Sequence, residues 1–153
     1  MQKITPFLWF DGNAEDAINL YVSVFKNSKI GNMSRYAEGG LGPAGTVMTA
    51  SFTLEGQDFM ALNGGPMFKF TPAISLFVSC ETQAEVDELY SRLAADGSEE
   101  ACGWLKDKFG LSWQIIPTAL PRLMQSREPG KAARVMQAMM KMKKIDIKGL
   151  EDA

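Results

Sequence analysis

The sequence of 153 residues contains no histidine and only two cysteines. Without an imidazole, the chain lacks the base of Ser-His-Asp and Cys-His nucleophile systems and the ligands of HExxH zinc sites. Cys80 and Cys102 form no CxxC or paired-knuckle arrangement, so neither a thiolate metal site nor a redox motif is indicated. These absences exclude the commonest hydrolase and zinc chemistries, and we expect a chain without a metal.

Long hydrophobic runs are missing as well. The longest mostly apolar stretch, Ile74–Cys80, is interrupted by serines and is far shorter than the ~20 residues of a membrane span. The first ten residues carry one lysine and then reach Asp11-Gly12-Asn13, which is too short a run for a secretory signal. We therefore expect a soluble, cytoplasmic protein with no membrane partner. A chain of this length buries roughly 70% of its unfolded surface in one core.

Charge is uneven along the chain, although the net charge is only −2. Residues 1–120 contain 8 basic and 14 acidic side chains, whereas residues 121–153 contain 8 basic and 4 acidic ones. Basic tails of this kind also bind nucleic acids. Here the basic residues are interleaved with apolar ones that require burial against protein, so a docked helix is favoured and no nucleic-acid partner is expected. These apolar residues are Met136, Met139, Met140, Met142 and Ile145.

The first half of the chain indicates the order strand, helix and three strands. Residues 3–10 are β-branched and aromatic and stop at Asp11-Gly12-Asn13, which is typical of a strand and a turn. Apolar residues then recur at helical spacing from Ala14 to Phe25, with Asn13 as the predicted N-cap. Three further β-prone segments cover residues 30–36, 46–54 and 58–62.

The second half repeats this order. We predict a strand over 72–80, then a helix that Thr82 caps and that Asp96-Gly97 ends. Both leading strands open with a Thr-Pro pair, at Thr5-Pro6 and at Thr71-Pro72. The shared order and the shared pair predict an internal duplication. The remaining strands are expected over 101–105 and 111–117.

The C-terminal segment differs in kind from both halves. A short helix over 118–125 and an amphipathic helix over 131–144 are predicted. Because methionine packs adaptably, the sequence leaves open whether the second helix covers its own domain or a partner subunit. The chain as a whole is predicted to be α+β, with one domain over 1–120, modules at about 1–66 and 67–120, and a helical tail over 121–153.

Several segments resemble those of a known family. They are Phe10-Asp-Gly-Asn-Ala-Glu-Asp-Ala17, Asn63-Gly-Gly-Pro66 and, above all, Cys102-Gly-Trp-Leu-Lys-Asp-Lys-Phe-Gly-Leu-Ser-Trp-Gln-Ile-Ile-Pro117. Nearly the whole chain resembles the PhnB-like branch of the vicinal oxygen chelate (glyoxalase/bleomycin resistance/dioxygenase) superfamily, a branch also named 3-demethylubiquinone-9 3-methyltransferase. The resemblance implies two βαβββ modules that form a cupped, barrel-like mixed sheet around a small-molecule cavity, usually in a homodimer.

The superfamily's metal enzymes place His, Glu or Gln at four strand positions. The resemblance puts these positions near Pro6, Met60, Ser75 and Gln114. Only Gln114 offers a ligand oxygen suited to a divalent metal, which needs three or more oxygen or nitrogen donors. We therefore expect no metal site of the family type, which argues against glyoxalase and extradiol dioxygenase chemistry.

The methyltransferase name implies S-adenosylmethionine as cofactor. Enzymes that bind it in the common way place a glycine-rich turn between a strand and a helix, where backbone N–H groups receive its polar end. Residues 38–45 are glycine-rich but lead into a β-prone segment, and Asn63-Gly64-Gly65-Pro66 does not lead into a helix. We interpret both segments as turns and expect no cofactor.

Gln114 is the first candidate for ligand binding. Strand alternation places it with Ser112 on one face, and the resemblance assigns that face to the cavity. Its amide would hydrogen-bond a ligand or, as the alternative, neighbouring backbone. The other candidate ligand contacts are Leu8, Phe10, Met60, Asn63 and Trp104, while Trp9 and Trp113 have the opposite parity and are expected under the helices.

Several candidates also have a purely structural interpretation. Leu8 and Phe10 fit plain core packing, and Asn63 fits a bond to its own turn. Cys102 is a candidate nucleophile, but it would need a lysine or a helix N-terminus to stabilise its thiolate. Asp107 is a candidate general base or, in Asp-Lys-Phe-Gly, a turn former.

Three functions from different classes follow. We favour a protein that binds or sequesters a small, partly apolar metabolite without a metal. The second is an enzyme, either the transferase of the family name or a metal-independent isomerase or lyase using Gln114, Cys102 and Asp107. The third is a dimeric interaction module without a ligand. Ligand-dependent stabilisation separates the first two from the third, and turnover separates the first from the second.

Overall fold

The computed structural model describes residues 2–153 and divides into two compact units. Unit 1 spans Met1–Phe70 and unit 2 spans Thr71–Ala153. Each unit contains one four-stranded sheet with parallel and antiparallel pairs. The predicted α+β class and the repeated βαβββ order are confirmed. Within residues 2–153, no helix combines the length and the apolar character that crossing a membrane requires.

Unit 1 consists of β1 (Phe7–Phe10), α1 (Ala14–Val24), β2 (Lys29–Arg35), β3 (Val47–Leu54) and β4 (Gln57–Asn63). The sheet order is β1-β4-β3-β2, in which β1 runs parallel to β4 and the other pairs are antiparallel. The first strand is shorter than predicted. It begins after Pro6, which has no N–H to extend the ladder, although its carbonyl accepts a hydrogen bond from the Met60 N–H at 2.9 Å.

The core of unit 1 lies between α1 and one face of the sheet. Ala17, Ile18 and Tyr21 of α1 are fully buried. The ring of Tyr21 lies 6.4 Å from that of Phe52, which in turn stacks on Phe59 at 5.3 Å between centroids. Phe52 and Phe59 therefore mark the sheet face that α1 covers.

Leu8 and Phe10 lie on this helix-covered face. In the parallel ladder, Leu8 is in register with Ala61 and Phe10 with Asn63, and both partners alternate with the side chains of the opposite face. Leu8 is 7% exposed and Phe10 is 2% exposed. Leu8 and Phe10 therefore pack in the core of unit 1, which is the structural alternative that the sequence offered for them.

Trp9 lies on the opposite face, where Phe7 is in register with Met60. The prediction that Leu8 and Phe10 face the cavity and Trp9 packs under the helix is wrong. It assigned these residues by counting alternate positions from Pro6. Pro6 lies outside the strand, and all four residues of β1 are apolar, so the sequence offers no alternation from which to read the facing.

Asn63 attaches the N-terminus of α1 to the sheet. Its Oδ1 accepts a hydrogen bond from the Ala14 N–H, and its Nδ2 donates one to the Val47 carbonyl, both at 2.9 Å. The first N–H groups of a helix have no partner within the helix. Asn63 on β4 supplies such a partner for the Ala14 N–H. The side chain of Asn13, the predicted N-cap, makes no cap hydrogen bond.

Unit 2 consists of β5 (Ser75–Cys80), α2 (Gln83–Ala94), β6 (Ser98–Glu99), β7 (Trp104–Lys106) and β8 (Ser112–Pro117), followed by tail helices. The sheet order β5-β8-β7-β6, with β5 parallel to β8, matches that of unit 1. Thr82 caps α2 as predicted, because its hydroxyl accepts a hydrogen bond from the Glu85 N–H at 3.2 Å.

The strand predicted over 101–105 is replaced by a turn between two short strands. Cys102 and Gly103 have φ values of 61° and 84°, which lie in the left-handed region that strands do not use. The Trp104 N–H closes the turn on the Ala101 carbonyl at 3.1 Å. The strand β7 therefore starts only at Trp104.

The tail helices pack on unit 2. They are α3 (Ala119–Met124), α4 (Lys131–Met140) and α5 (Ile147–Glu151). Ile116 of β8 forms a buried cluster with Val135 of α4 and Leu150 of α5. The tail thus covers its own unit, one of the two alternatives that the sequence left open.

The helix α4 ends at Met140, four residues earlier than predicted. The segment that follows it is tied to the turn before β7. The carbonyls of Met142 and Lys143 accept hydrogen bonds from the N–H groups of Cys102 and Gly103, both at 2.8 Å. These bonds take the place of further helical bonds, so the helical pattern of the sequence stops short of Lys144.

We expect Asn63→Ala to lower the free energy of unfolding by about 2–3 kcal/mol, because it removes two buried hydrogen bonds and strands the Ala14 N–H. Urea unfolding measures the change. Asn32→Ala is the matched control, since Asn32 is exposed and should change stability by less than about 0.5 kcal/mol. Equal losses in the two variants would contradict the capping role.

Candidate functional site

The two faces of the sheet in unit 2 carry different side chains. The helix α2 packs on the face of Leu105, Trp113 and Ile115, each 2% exposed or less. As predicted, Trp113 lies under the helix and Gln114 lies on the other face. We call that face the Gln114 face; it consists of Ser75, Phe77, Ser79, Trp104, Lys106, Ser112, Gln114 and Ile116.

Phe77, Gln114 and Trp104 form a row across three neighbouring strands. Phe77 is in register with Gln114 between β5 and β8, and Trp104 is in register with Gln114 between β7 and β8. Neighbouring strands lie ~4.8 Å apart, so the two aromatic side chains leave the backbone roughly 10 Å apart with the amide between them. Phe77 is 59% exposed, which leaves its ring available for contact.

The amide of Gln114 has a fixed orientation. Its Nε2 donates a hydrogen bond to the hydroxyl of Ser75 at 2.9 Å. Within residues 2–153, its Oε1 accepts no hydrogen bond and the indole N–H of Trp104 donates none. The row therefore presents an acceptor and a donor together with two aromatic surfaces.

The Gln114 face changes in polarity along β8. Two residues before Gln114, Ser112 is in register with Ser75 on one side and with Lys106 on the other. Two residues after it, Ile116 is buried under the tail helices. The aromatic row thus lies between a polar row and an apolar, covered end.

The corresponding face of unit 1 is filled by its own residues. Trp9 donates its indole N–H to the Gly65 carbonyl at 2.9 Å, and Phe68 packs edge-on against its ring at 4.9 Å. A Cβ on Gly64 would overlap the same ring, so the turn after β4 requires glycine there. Met60 lies on this face between Phe7 of β1 and Ser51 of β3, and no side-chain amide lies on this face among the described residues of β1, β3 and β4.

Of the predicted ligand contacts, only Gln114 and Trp104 lie together on a sheet face that the helix of their unit does not cover. Met60 belongs to unit 1, on the face that Trp9 occupies. The remaining three lie on the α1 side of unit 1, and both amide atoms of Asn63 are already bonded there. These three are Leu8, Phe10 and Asn63.

Phe77 was not among the predicted contacts. Its signal was the alternation over Ser75–Cys80, in which Phe77 shares a parity with two serines while Leu76 and Val78 share the other. Phe77 therefore lies on the same side of the strand as the serines, which is the side that the helix does not cover.

Asp107 occupies a structural position. Its Oδ1 accepts hydrogen bonds from the N–H groups of Phe109 and Leu111 at 2.9 and 3.0 Å, and its Oδ2 accepts one from the Trp113 indole at 2.9 Å. The side chain is 2% exposed and points to the α2 side of the sheet. This is the geometry of the predicted turn former, and the carboxylate does not reach the Gln114 face.

The two thiols have different surroundings. Cys80 is fully buried, and burial, with Glu85 beside it, raises the pKa of its thiol to about 12. Cys102 is half-buried in the turn before β7. Burial and the raised pKa therefore both disfavour a thiolate at Cys80.

A surface groove of about 490 Å³ runs along α2 and β6. Three of its polar side chains, those of Asp87, Tyr90 and Lys144, already have partners. Asp87 pairs with Lys144 at 2.8 Å, and that hydrogen bond holds the pKa of the carboxyl below its ordinary value. The hydroxyl of Tyr90 donates to the Glu100 and Trp104 carbonyls, and burial raises its pKa to about 12. We therefore place the candidate site on the Gln114 face.

The residues present do not fit a divalent metal of the superfamily type. Residues 2–153 contain no group of three or more His, Cys, Asp or Glu side chains that could hold a metal ion. Of the four family positions, Pro6 has no donor and Met60 offers a thioether, while Ser75 and Gln114 bond each other. A hard divalent cation requires more oxygen or nitrogen donors than this set provides.

The model of the family described as 3-demethylubiquinone-9 3-methyltransferase matches residues 2–116. The chain belongs to that family. A PhnB protein from Bacillus cereus that bears the same family name is 46% identical, with a TM-score of 0.73, over 76% of this chain and 100% of that one. The comparison with curated proteins gives no match.

More distant structures share the fold of the 3-demethylubiquinone-9 3-methyltransferase family. Protein PA1353 from Pseudomonas aeruginosa is 22% identical, with a TM-score of 0.64, over 76% of this chain and 98% of that one. FosX, a fosfomycin resistance protein from Listeria monocytogenes solved with Mn(II) and sulfate, is 14% identical, with a TM-score of 0.53, over 82% and 98% of the two chains. The resemblance to the PhnB-like, 3-demethylubiquinone-9 3-methyltransferase branch is confirmed, and the two more distant structures share its fold.

The family name refers to methyl transfer, but the glycine-rich segments do not form the usual cradle for S-adenosylmethionine. Residues 38–45 lead into β3, and the turn at Gly64-Gly65 packs against Trp9 and opens no helix. Helix α1 follows a turn with the single glycine Gly12. None of these segments combines a glycine-rich loop with the start of a helix, as the common cofactor site does.

We expect thiol labelling at pH 7.5 to modify Cys102 and to spare Cys80, because a buried thiol with a pKa of about 12 is almost entirely protonated. Mass spectrometry after maleimide treatment locates the label. Cys102→Ala should then abolish labelling of the folded protein, and unfolding in urea should expose Cys80. Labelling of Cys80 in the folded chain would contradict this assignment.

Proposed function

We propose that the Gln114 face binds a small, partly apolar, planar organic molecule without a metal. The observation that carries the proposal is the row Phe77–Gln114–Trp104 across β5, β8 and β7. Ligand sites are typically lined by apolar and aromatic side chains with a few polar groups that fix orientation. This row has that composition, with its polar group in the middle.

The spacing of the row suits a flat ligand. A planar ring between the Phe77 and Trp104 side chains contacts aromatic surface on both sides, and such contacts contribute beyond the apolar area they bury. Gln114 would then bond a substituent on the ring through its Oε1 and its second Nε2 hydrogen. Ser75 supports this role, because its hydroxyl already holds the amide in one orientation.

Unit 2 is a better candidate for the ligand than unit 1. In unit 1, the indole N–H of Trp9 already donates a hydrogen bond to the Gly65 carbonyl, and Phe68 packs against its ring. Within the described residues, Trp104 of unit 2 makes no hydrogen bond through its indole N–H and no ring contact with another aromatic side chain. A ligand at Trp104 therefore displaces no protein contact that the structure records.

Binding or sequestration is favoured over catalysis. Asp107, the candidate general base, is occupied by two backbone N–H groups and the Trp113 indole. Cys102 lies in a turn whose N–H bonds the Met142 carbonyl, under the tail rather than in the aromatic row. Neither residue stands beside Gln114 in the row, so the face offers recognition without an evident general base or nucleophile.

We expect Gln114→Leu to weaken binding of an organic ligand about five- to ten-fold, because the amide supplies one or two hydrogen bonds. A thermal-shift screen of the metal-stripped protein against planar metabolites, including quinone precursors, selects the ligand, and calorimetry measures its affinity. Gln137→Leu is the matched control, because Gln137 is an exposed glutamine on α4 and its loss should leave binding unchanged.

The same screen includes manganese, zinc, nickel, iron and S-adenosylmethionine. Saturable stabilisation by a metal or by S-adenosylmethionine alone would overturn the proposal in favour of the enzyme classes. An organic ligand that binds Gln114→Leu as tightly as the unmodified chain would place the site elsewhere. A chain that no compound stabilises would favour the interaction module.

We also infer a homodimer. Its support is the family resemblance together with Met136 and Met140, which lie one turn apart on α4 and are 39% and 64% exposed. Sedimentation equilibrium at micromolar concentration should therefore give twice the chain mass of 16.8 kDa. A species of the single-chain mass would remove the dimer from the proposal.

A further inference from the structure

The polar row of the Gln114 face lies next to the aromatic row. It runs across β5, β8 and β7 through Ser75, Ser112 and Lys106, which are in register with one another. Residues two apart on a strand are separated by about 7 Å. One small molecule can therefore contact both rows.

Ser112 carries a hydroxyl that makes no hydrogen bond to the protein within residues 2–153. The residue as a whole is 2% exposed, but its oxygen still reaches the surface, because no buried side-chain oxygen or nitrogen in that range lacks a partner. The hydroxyl can therefore donate a hydrogen bond to an acceptor atom of a ligand on this side of the strand.

Lys106 provides a positive charge in the same row. It is half-buried, and no carboxylate lies within 4 Å of its ammonium among residues 2–153. Ser75 accepts the bond from Gln114, so its own proton stays available for donation. The row thus presents donors from Ser75, Ser112 and Lys106.

One acidic residue, Glu100, lies beside the other row. Glu100 donates its backbone N–H to the Trp104 carbonyl at 3.0 Å, at the outer end of the aromatic row. Its carboxylate accepts a hydrogen bond from Ser98 at 3.3 Å. Glu100 makes no ion pair with Lys106, so the positive charge of the polar row is not neutralised by it.

The opposite end of the face is apolar. Ile116 packs with Val135, Ile145 and Leu150 under the tail. A ligand that lies along β8 therefore meets a cation and hydroxyl donors first, an aromatic row with one amide next, and a hydrocarbon wall last. This order defines the direction in which an amphiphilic molecule would bind.

We propose that the ligand is an aromatic or conjugated carboxylate, with its carboxylate at Lys106 and Ser112 and its ring in the aromatic row. The inference rests on the proposed function and adds the charge and the direction of the ligand. A carboxylate uses several donors at once, and its hydrogen bonds with a charged partner are about twice as strong as neutral ones. A neutral ring compound leaves Lys106 without a counterion.

The test compares 2-naphthoate with 2-naphthamide, which have the same rings and differ in charge. We expect calorimetry on the full chain to show about ten-fold tighter binding of the carboxylate. Lys106→Met should remove this preference, and Lys106→Arg should retain most of it. Raising the salt from 50 mM to 500 mM should weaken naphthoate selectively, because salt screens a half-exposed charge.

Lys108→Met is the matched control. Lys108 is exposed in the turn before β8 and lies 5.4 Å from the Phe109 ring centroid, so its loss should leave the preference intact. Thermal melts of all variants confirm that each one is folded before binding is compared.

The outcomes separate the two proposals. If both probes bind equally and Lys106→Met changes neither, the carboxylate inference is wrong, while weaker binding of both to Gln114→Leu would leave the proposed function standing. If neither probe binds, the result counts against a planar-ligand site and against this inference together. A preference that persists in Lys106→Met would show that another cation supplies the charge.

Discussion

The buried carboxylate of Asp107 fixes the facing of β8, and the candidate site depends on that facing. It joins the turn at Phe109 and Leu111 to the indole of Trp113 through three hydrogen bonds. In a strand, a slip of one residue moves every side chain to the opposite face. With Trp113 tied to Asp107 on the α2 side, Gln114 is held on the other side. A residue type common in catalysis thus acts here by holding the strand register.

The docking of the tail follows from the same facing. Ile116 shares the parity of Gln114 and becomes the contact on which the tail cluster is built. The approach is close, because a Cβ on Gly103 would meet the side chains of Ile116 and Ile145. Glycine is needed there on a second ground, since its φ of 84° is in the left-handed region. The tail therefore closes one end of the Gln114 face and leaves the aromatic and polar rows beyond it.

How much of the site could be predicted depended on whether polar and apolar residues alternate along each strand. In β8, a tryptophan and an isoleucine alternate with a serine and a glutamine, and the facing read from the sequence is confirmed. In β1 every residue is apolar, so the facing was not encoded in a visible pattern, and Leu8 and Phe10 were assigned to the wrong face. The order of elements depended on turns and helical spacing, which are local signals. The meeting of Phe77 with Gln114 depends on the parallel pairing of distant strands, which no local signal reports.

The two units repeat one topology but differ in what covers the sheet face away from the helix. In unit 1 the turn after β4 returns over the sheet, so that Gly65 satisfies the Trp9 indole and Phe68 covers its ring. In unit 2 the chain after β8 enters α3 and packs on Ile116, two residues beyond Gln114. The aromatic row is therefore left uncovered by the tail. The packing of Gly65 and Phe68 covers Trp9 in unit 1, whereas Trp104 in unit 2 makes no such contact within the described residues. The difference between the two connections, together with Gln114 on β8 where β4 has Met60, supports placing the ligand on unit 2.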